Sequence, residues 1–368
     1  MTHERLLNEL WTTTLTRLGG EVAVAALALE TKAFVRPRQI KSAADLLRII
    51  LAYCLGGMGL RSTSAWAASV GLADLSNVAL LQRLRNCEDW MQRLVGSLLA
   101  GDGETAAHGR HVRILDATTV PKASKIDKCR NGLWRLHCAF DLPTERFSFC
   151  TLTDEKGSEQ IDRVPVVVGE IRIGDRGYMH PGRLAAVVAE GADIIVRAGW
   201  KSVRWLDQDG DTLDIVAVLG QATGQSIVDR PIWIWRKRAA PLALRLVAIR
   251  KPAQATAATR VKARRAAQRE GSAITGETLA AAEWVILVTS LKPAEFSGIE
   301  IGELYRARWR VEMAFKRLKS LIGLAGPPGD DPRTAKTWIM AHLLMILLLE
   351  PHTSAPESAS GASPRLAA

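Results

Sequence analysis

Ile171-Arg172-Ile173-Gly174-Asp175-Arg176-Gly177-Tyr178 is a short apolar strand pattern that runs into a turn and leaves a carboxylate at its end. Pro181 to Glu190 follows with helical spacing, Gly191 stops it, and Asp193-Ile194-Ile195-Val196-Arg197 is another strand. Upstream, His111 to Leu115 is a buried-strand pattern ending in Asp116. Leu133 to Phe140 and Arg146 to Leu152 are two more strands, separated by the turn signal Asp141-Leu142-Pro143-Thr144. Four strands, a helix and a strand make an α/β pattern with a mixed sheet.

Outward from this centre the text changes character. Residues 1–105 read as helical, with Ala43 to Leu55 stopped by Gly56-Gly57. Ser62 or Thr63 is placed to cap a helix through Val70, and Ser76 one through Arg85. That last pair reads equally as DNA-contacting helices or as part of an ordinary bundle. Gly101 to Gly109 is a linker by composition. Beyond residue 200 the chain is strand-rich, then Ala253 to Glu270 is an Ala- and Arg-rich helix, Val285 to Ser290 a strand, and Ile301 to Leu324 a long helix. From Pro351 the apolar content collapses, which predicts a disordered tail. The expected division is 1–105 helical and DNA-binding, 106–199 a first part of the α/β core, 200–284 a β-rich basic insertion, 285–350 a second part of the core, and 351–368 the tail. A length of 368 residues has room for that.

Net charge is +11, from 49 Lys and Arg against 38 Asp and Glu, with a pI near 9.7. Such a balance suits a polyanion, nucleic acid before membrane. The charge has an address: Arg230 to Arg269 holds 12 basic residues and no acidic one, so the remainder is close to neutral. The run is interleaved with Ile232-Trp233-Ile234-Trp235 and Leu242 to Ile249, which argues for a structured nucleic-acid contact over a merely solvated face. A membrane span is not expected. The apolar run Trp338 to Leu349 is 12 residues and includes His342, against the roughly 20 needed to cross. The first residues show no secretory pattern, and the five cysteines (Cys54, Cys87, Cys129, Cys138, Cys150) lack C-x-x-C spacing. A reduced cytoplasm fits, and Cys129, His137 and Cys138 read as buried packing rather than a zinc site.

The chemistry is carried by acids. Asp116 and Asp175 each end an apolar strand, where a carboxylate is rigid and half-buried, suited to a metal. Read as one helix at about 100° per residue, Leu304, Val311, Phe315, Leu318 and Ile322 form a core-facing stripe. Tyr305, Arg308, Glu312 and Lys319 form a second beside it. One acid, two cations and a phenol on the margin of a buried face suit a cation-bound phosphate.

The spacing Tyr305-x2-Arg308-x3-Glu312-x6-Lys319, with Asp116-Ala-Thr and Asp175-Arg-Gly-Tyr before it, resembles bacterial insertion-sequence transposases of the DDE type, IS-four group (transposase family 11). The resemblance covers about residues 110 to 325. It implies a ribonuclease-H-like catalytic core interrupted by a β-rich insertion and preceded by an all-helical domain. Asp116, Asp175 and Glu312 would then hold two Mg²⁺ (Mn²⁺ able to substitute), in an enzyme that cuts double-stranded transposon-end DNA and joins it to target DNA as a homodimer. By the same resemblance Arg197, Tyr305, Arg308 and Lys319 contact DNA. Trp284 stacks on a flipped base, its alternative reading being a plain core indole. The resemblance implies a bacterial cytoplasmic location at the nucleoid. Two rivals stand beside it: a catalytically impaired DNA-binding remnant acting as a transposition inhibitor, and a structure-selective nuclease on the same fold.

Overall fold

The protein is seen in a computed structural model that describes residues 11–99, 107–121, 133–144, 146–154, 156–222, 224–321, 327–328 and 331–353. Most of the expected linker, Cys129 and the tail beyond 353 lie outside the described residues.

The N-terminal part is helical: α1 (Gly20–Glu30), α2 (Ala43–Leu55), α3 (Leu60–Ser69), α4 (Asn77–Arg85) and α5 (Glu88–Leu99). Helix α2 starts at a reciprocal cap: Ser42 Oγ accepts from Asp45 N–H at 3.0 Å, and the Asp45 carboxylate accepts from Ser42 N–H at 3.2 Å. Ser76 caps α4 as expected, accepting from Ala79 N–H at 3.2 Å. Neither expected cap of α3 is used. That helix begins earlier, with Gly59 at its N-cap, and the Thr63 hydroxyl donates back to the Gly59 carbonyl at 3.0 Å.

A mixed nine-stranded sheet follows. Its strands are β1 (Val112–Pro121), β2 (Leu133–Asp141), β3 (Arg146–Thr153), β4 (Ile171–Gly174), β5 (Asp193–Arg197), β6 (Trp205–Leu206), β7 (Ile227–Arg236), β8 (Ala239–Arg250) and β9 (Trp284–Thr289). Their order in space is β3-β2-β1-β4-β5-β9-β8-β7-β6. β1, β4 and β5 run parallel, and every other pairing is antiparallel. The strands of the basic region therefore extend the same sheet instead of forming a separate one.

The two faces are sorted by the period-2 rule. Val112 and Ile114 of β1, Ile171 and Ile173 of β4 and Ile195 of β5 join a core shared with the N-terminal helices. Leu115, Ile194 and Val196 point the other way, toward Leu184 and Val187 of α6 (Pro181–Ala189) and Ile215 and Leu219 of α7 (Ile215–Gln221). Helices α8 (Ala253–Arg269) and α9 (Gly276–Ala281) lie between β8 and β9 in the chain. After β9 come α10 (Gly298–Arg306), α11 (Trp309–Leu321) and α12 (Pro332–Thr353).

The single helix expected over Ile301 to Leu324 is in fact two, α10 and α11. At the junction the backbone tightens to i→i−3 bonds: Arg308 N–H to Tyr305 O at 3.1 Å, Arg310 N–H to Ala307 O at 3.0 Å, Val311 N–H to Arg308 O at 3.2 Å. A tighter turn advances the face by fewer residues than an α-helix does, so the axis is offset where Arg308 leaves it.

The apolar run at Trp338 is buried within α12. Trp338, Ile339, Met340, Ala341, Leu343 and Leu344 are all buried against the N-terminal helices. Polar contacts fix the docking: Thr337 Oγ1 donates to Leu84 O at 2.9 Å, Arg85 pairs with Asp331 at 2.9 Å, and Lys336 pairs with Glu88. The ends of the chain thus share one helical bundle, and α12 reaches three residues into the segment expected to be disordered. Among the described residues no helix is long and apolar enough to cross a membrane.

Arg172 of β4, fully buried, ties the approach to the sheet. Its Nε donates to Glu170 Oε1 at 2.7 Å, Nη1 to the Ile161 and Val164 carbonyls at 2.6 and 2.9 Å, and Nη2 to Pro165 O at 2.5 Å. Truncation would take the donors from three carbonyls and one of two guanidinium partners from the buried Glu170, which keeps Arg113 at 3.1 Å. Arg172→Met is expected to destabilise the fold by about 3–5 kcal/mol, read as a lowered urea midpoint; an unchanged midpoint would contradict this role.

Candidate active site

The parallel strands end together. Ile114 of β1 lies opposite Ile173 of β4, and Gly174 of β4 opposite Val196 of β5. Two residues past Ile114 stands Asp116, two past Ile173 stands Asp175, and one past Val196 stands Arg197. Carboxyl ends of parallel strands are where ligands bind in open α/β sheets. Asp116 is not at a strand end as expected, because β1 continues to Pro121 through its antiparallel pairing with β2, where Asp116 faces Cys138. Its β4 side is free because β4 stops at Gly174.

Asp116 is shallowly buried. Its Oδ1 accepts from Ala117 N–H at 2.8 Å and its Oδ2 from Arg308 Nη1 at 3.1 Å. The other end of the same guanidinium pairs with Glu312 through Nη2. Arg308 therefore bridges two carboxylates that lie 196 positions apart in the chain. Val311 and Phe315 seat α11 on the sheet, with the Phe315 ring 5.5 Å from that of Phe147 on β3, and so fix Glu312 beside β1. Asp175 Oδ1 accepts from Gly177 N–H at 2.7 Å and caps the 3-10 turn Arg176–Tyr178.

Glu159, on the segment after β3, is a fourth acid in the site. The Asp175 charge and burial both raise its pKa, burial more strongly. The glycine of Asp175-Arg-Gly-Tyr has a reason here: a Cβ on Gly177 would collide with the Glu159 carboxylate. Asp116 feels the whole group. Burial pushes its carboxyl up to about 6, the Ala117 N–H and Arg308 partly offset this, and Asp175 and Glu159 add to it.

Tyr305 closes α10 over this ground. Its phenol oxygen is buried without a hydrogen bond of good geometry, and burial raises its pKa against the pull of Arg308 and Arg197. Lys319 lies in α11, but its side chain is outside the described residues. Trp284 opens β9 and is buried. It also lines a cavity of about 700 Å³ with Arg176 and Arg197, and the Arg250 guanidinium stands 4.5 Å from its ring centroid.

The donor set fits a hard divalent cation: carboxylate oxygens, partly buried, with a guanidinium already holding positive charge between two of them. Among the described residues no three acidic, His or Cys side chains stand in a ligating arrangement, and Arg308 stands between Asp116 and Glu312. His137 and Cys138, once weighed for zinc, are buried in β2. Glu159, a lone acid in a loop, and Arg176, the unassigned arginine of Asp175-Arg-Gly-Tyr, are site residues that local pattern did not single out.

Asp116, Asp175, Glu159 and Glu312 thus gather beside the parallel strands β1 and β4, with Arg308, Arg176 and Arg197 around them. The transposase DDE domain family model matches residues 107–348, and the chain belongs to that family. It is 35% identical over 347 residues to the putative transposase InsL for insertion sequence element IS186A of Escherichia coli K12, covering 92% of this chain and 93% of that protein. The transposase for insertion sequence element IS421 of Escherichia coli is also 35% identical, over 348 residues and the same shares. The Drosophila P element transposase strand transfer complex aligns over 95% of this chain and 86% of that chain, at 11% identity and a TM-score of 0.24, too low to bear on fold or function.

A raised folded-state pKa means the charged form of Asp116 opposes folding. The stability it leaves intact is fully present below about pH 4 and is lost as pH rises through about 6. In chelator-treated protein, Asp116→Asn is expected to raise the thermal midpoint at pH 8, by up to about 3 kcal/mol in stability, and to bring no gain near pH 4. Equal midpoints at both pH values would contradict the assigned burial.

Proposed function

We propose that this chain is the transposase of an insertion sequence, which binds terminal inverted repeats, cleaves the DNA at the element's ends and joins the free 3′-hydroxyl to target DNA. The observation that carries this reading is that Asp116 and Asp175 stand two residues past paired positions of the neighbouring parallel strands β1 and β4, with Glu312 tied to Asp116 through Arg308. The strand order β3-β2-β1-β4-β5, with β1, β4 and β5 parallel, supports a ribonuclease-H-like core split by the strands that follow β5.

Asp116, Asp175 and Glu312 would hold Mg²⁺, two ions per site, with Mn²⁺ able to substitute. When bound, the ions activate the attacking oxygen and neutralise charge on the leaving one. The protein's own groups do the rest. Arg308 exchanges its carboxylate partners for a DNA phosphate, a bidentate acceptor of the same kind. Tyr305 and Arg197 orient the strand beside the cut, and Lys319 extends the contact along α11. Trp284 stacks on an unpaired base from within its cavity, a contact of about 1–3 kcal/mol.

Residues 1–105 would read the inverted repeats, residues 106–199 and 285–350 form the catalytic core, and residues 200–284 hold the DNA backbone. Part of the basic run is already spent inside the protein: Arg245 on Asp229, and Arg250 and Arg260 on Glu283. Helix α8 keeps Lys262, Arg264, Arg265 and Arg269 outermost. Paired ends would be held by a homodimer at the bacterial nucleoid.

Strand-transfer assays on DNA carrying the inverted repeats, with Mg²⁺, test the reading. Asp175→Asn is expected to abolish joining, a fall of more than a thousandfold, while end binding stays within about twofold; retained joining would overturn the triad. Without DNA, Arg308→Ala should tighten Mn²⁺ binding roughly tenfold by paramagnetic resonance, since a competing cation is removed. Weaker binding would overturn the exchange of partners.

A further inference from the structure

Lys251 is a cation that no motif names. It follows β8 and faces the cavity of about 700 Å³ at the end of β5, where Arg176, Arg197 and Lys262 also line the wall over Trp284 and Ile286. Among the described residues, no acidic side chain lines that cavity. The hydrogen bonds of Lys251 go to neutral acceptors, Ala282 O at 2.8 Å and Thr259 Oγ1 at 3.3 Å.

Three of these cations press on one another. Burial, then Arg197 and Arg176, hold the Lys251 amine down to about 8. Elsewhere in the basic region Arg245, Arg250 and Arg260 pair with the carboxylates of Asp229 and Glu283; the cations that line this cavity converge on one another. Such repulsion is relieved by an anion placed among them. The exposed basic side chains of α8 continue outward from Lys262, so the anion belongs to a polymer.

We propose that Arg176, Arg197 and Lys251 form a cup that takes one backbone phosphate of the DNA strand beside the active site, with Lys251 its added positioning residue. Two guanidinium forks and an ammonium lining one cavity offer more donors than a planar carboxylate can use, which suits a tetrahedral phosphate. The inference rests on the reading that this chain acts on DNA.

The test uses the full-length protein, a random-sequence 30-base-pair duplex and a KCl titration. Lys251→Gln keeps a donor for Ala282 and Thr259 but removes the charge. Its affinity at 0.1 M KCl is expected to fall roughly tenfold, the slope of log K against log salt to shrink by about one, and Lys251→Arg to restore both. A purely structural lysine would lower the thermal midpoint and leave the slope unchanged, which would overturn the cup. Polyglutamate competing as well as DNA does, at equal charge concentration, would also overturn it. Failure of the DNA reading looks different: the unmodified protein itself would show no salt-dependent binding.

Discussion

A single guanidinium holds the site together. Arg308 leaves the chain where α10 gives way to α11 and places one nitrogen on Asp116 and the other on Glu312. Without positive charge there, the half-buried Asp116 and the exposed Glu312, with Asp175 and Glu159 nearby, would repel one another. Burial pushes the Asp116 carboxyl up to about 6, and Asp175 and Glu159 add to it. A site so arranged is poised for cations, and the offset helix junction, the seating of Phe315 on Phe147 and the early stop of β4 all serve to bring it about.

Local pattern made much of the fold legible. Alternating or continuous apolar runs located β2, β3, β4 and β5 to within a residue or two, because buried strands carry their signal in a handful of neighbouring side chains. The limits of α2 and the cap of α4 were equally visible. What local pattern could not carry was extension and pairing. β1 runs past Asp116 because β2 pairs with it, a contact with residues some twenty positions on. The break between α10 and α11 contains neither Pro nor Gly, and the residue at it is drawn to a partner 192 positions away. The apolar run in α12 showed that it would be buried, but not that the N-terminal helices bury it.

The site divides along the same line. Asp116, Asp175 and Glu312 stood out because each sits in a recognisable motif, and the first two lie on neighbouring strands, Asp116 within β1 and Asp175 just past β4. Glu159 had no such frame; its place depends on Arg172, whose buried side chain pins the segment that follows it, and on the missing side chain of Gly177. Lys251 was one basic residue in a run of twelve, and only the cavity distinguishes it from those whose charge is spent on Asp229 and Glu283.

The central claim is that Asp116, Asp175 and Glu312 share bound metal. Iron(II) loaded in place of magnesium, then treated with ascorbate and peroxide, cuts a polypeptide next to its ligands, and the fragments locate the ion by mass. The expected pattern is cleavage clustered around residues 116, 175 and 312, suppressed by excess Mg²⁺. Cleavage confined to other segments, or a pattern that excess Mg²⁺ leaves unchanged, would contradict it.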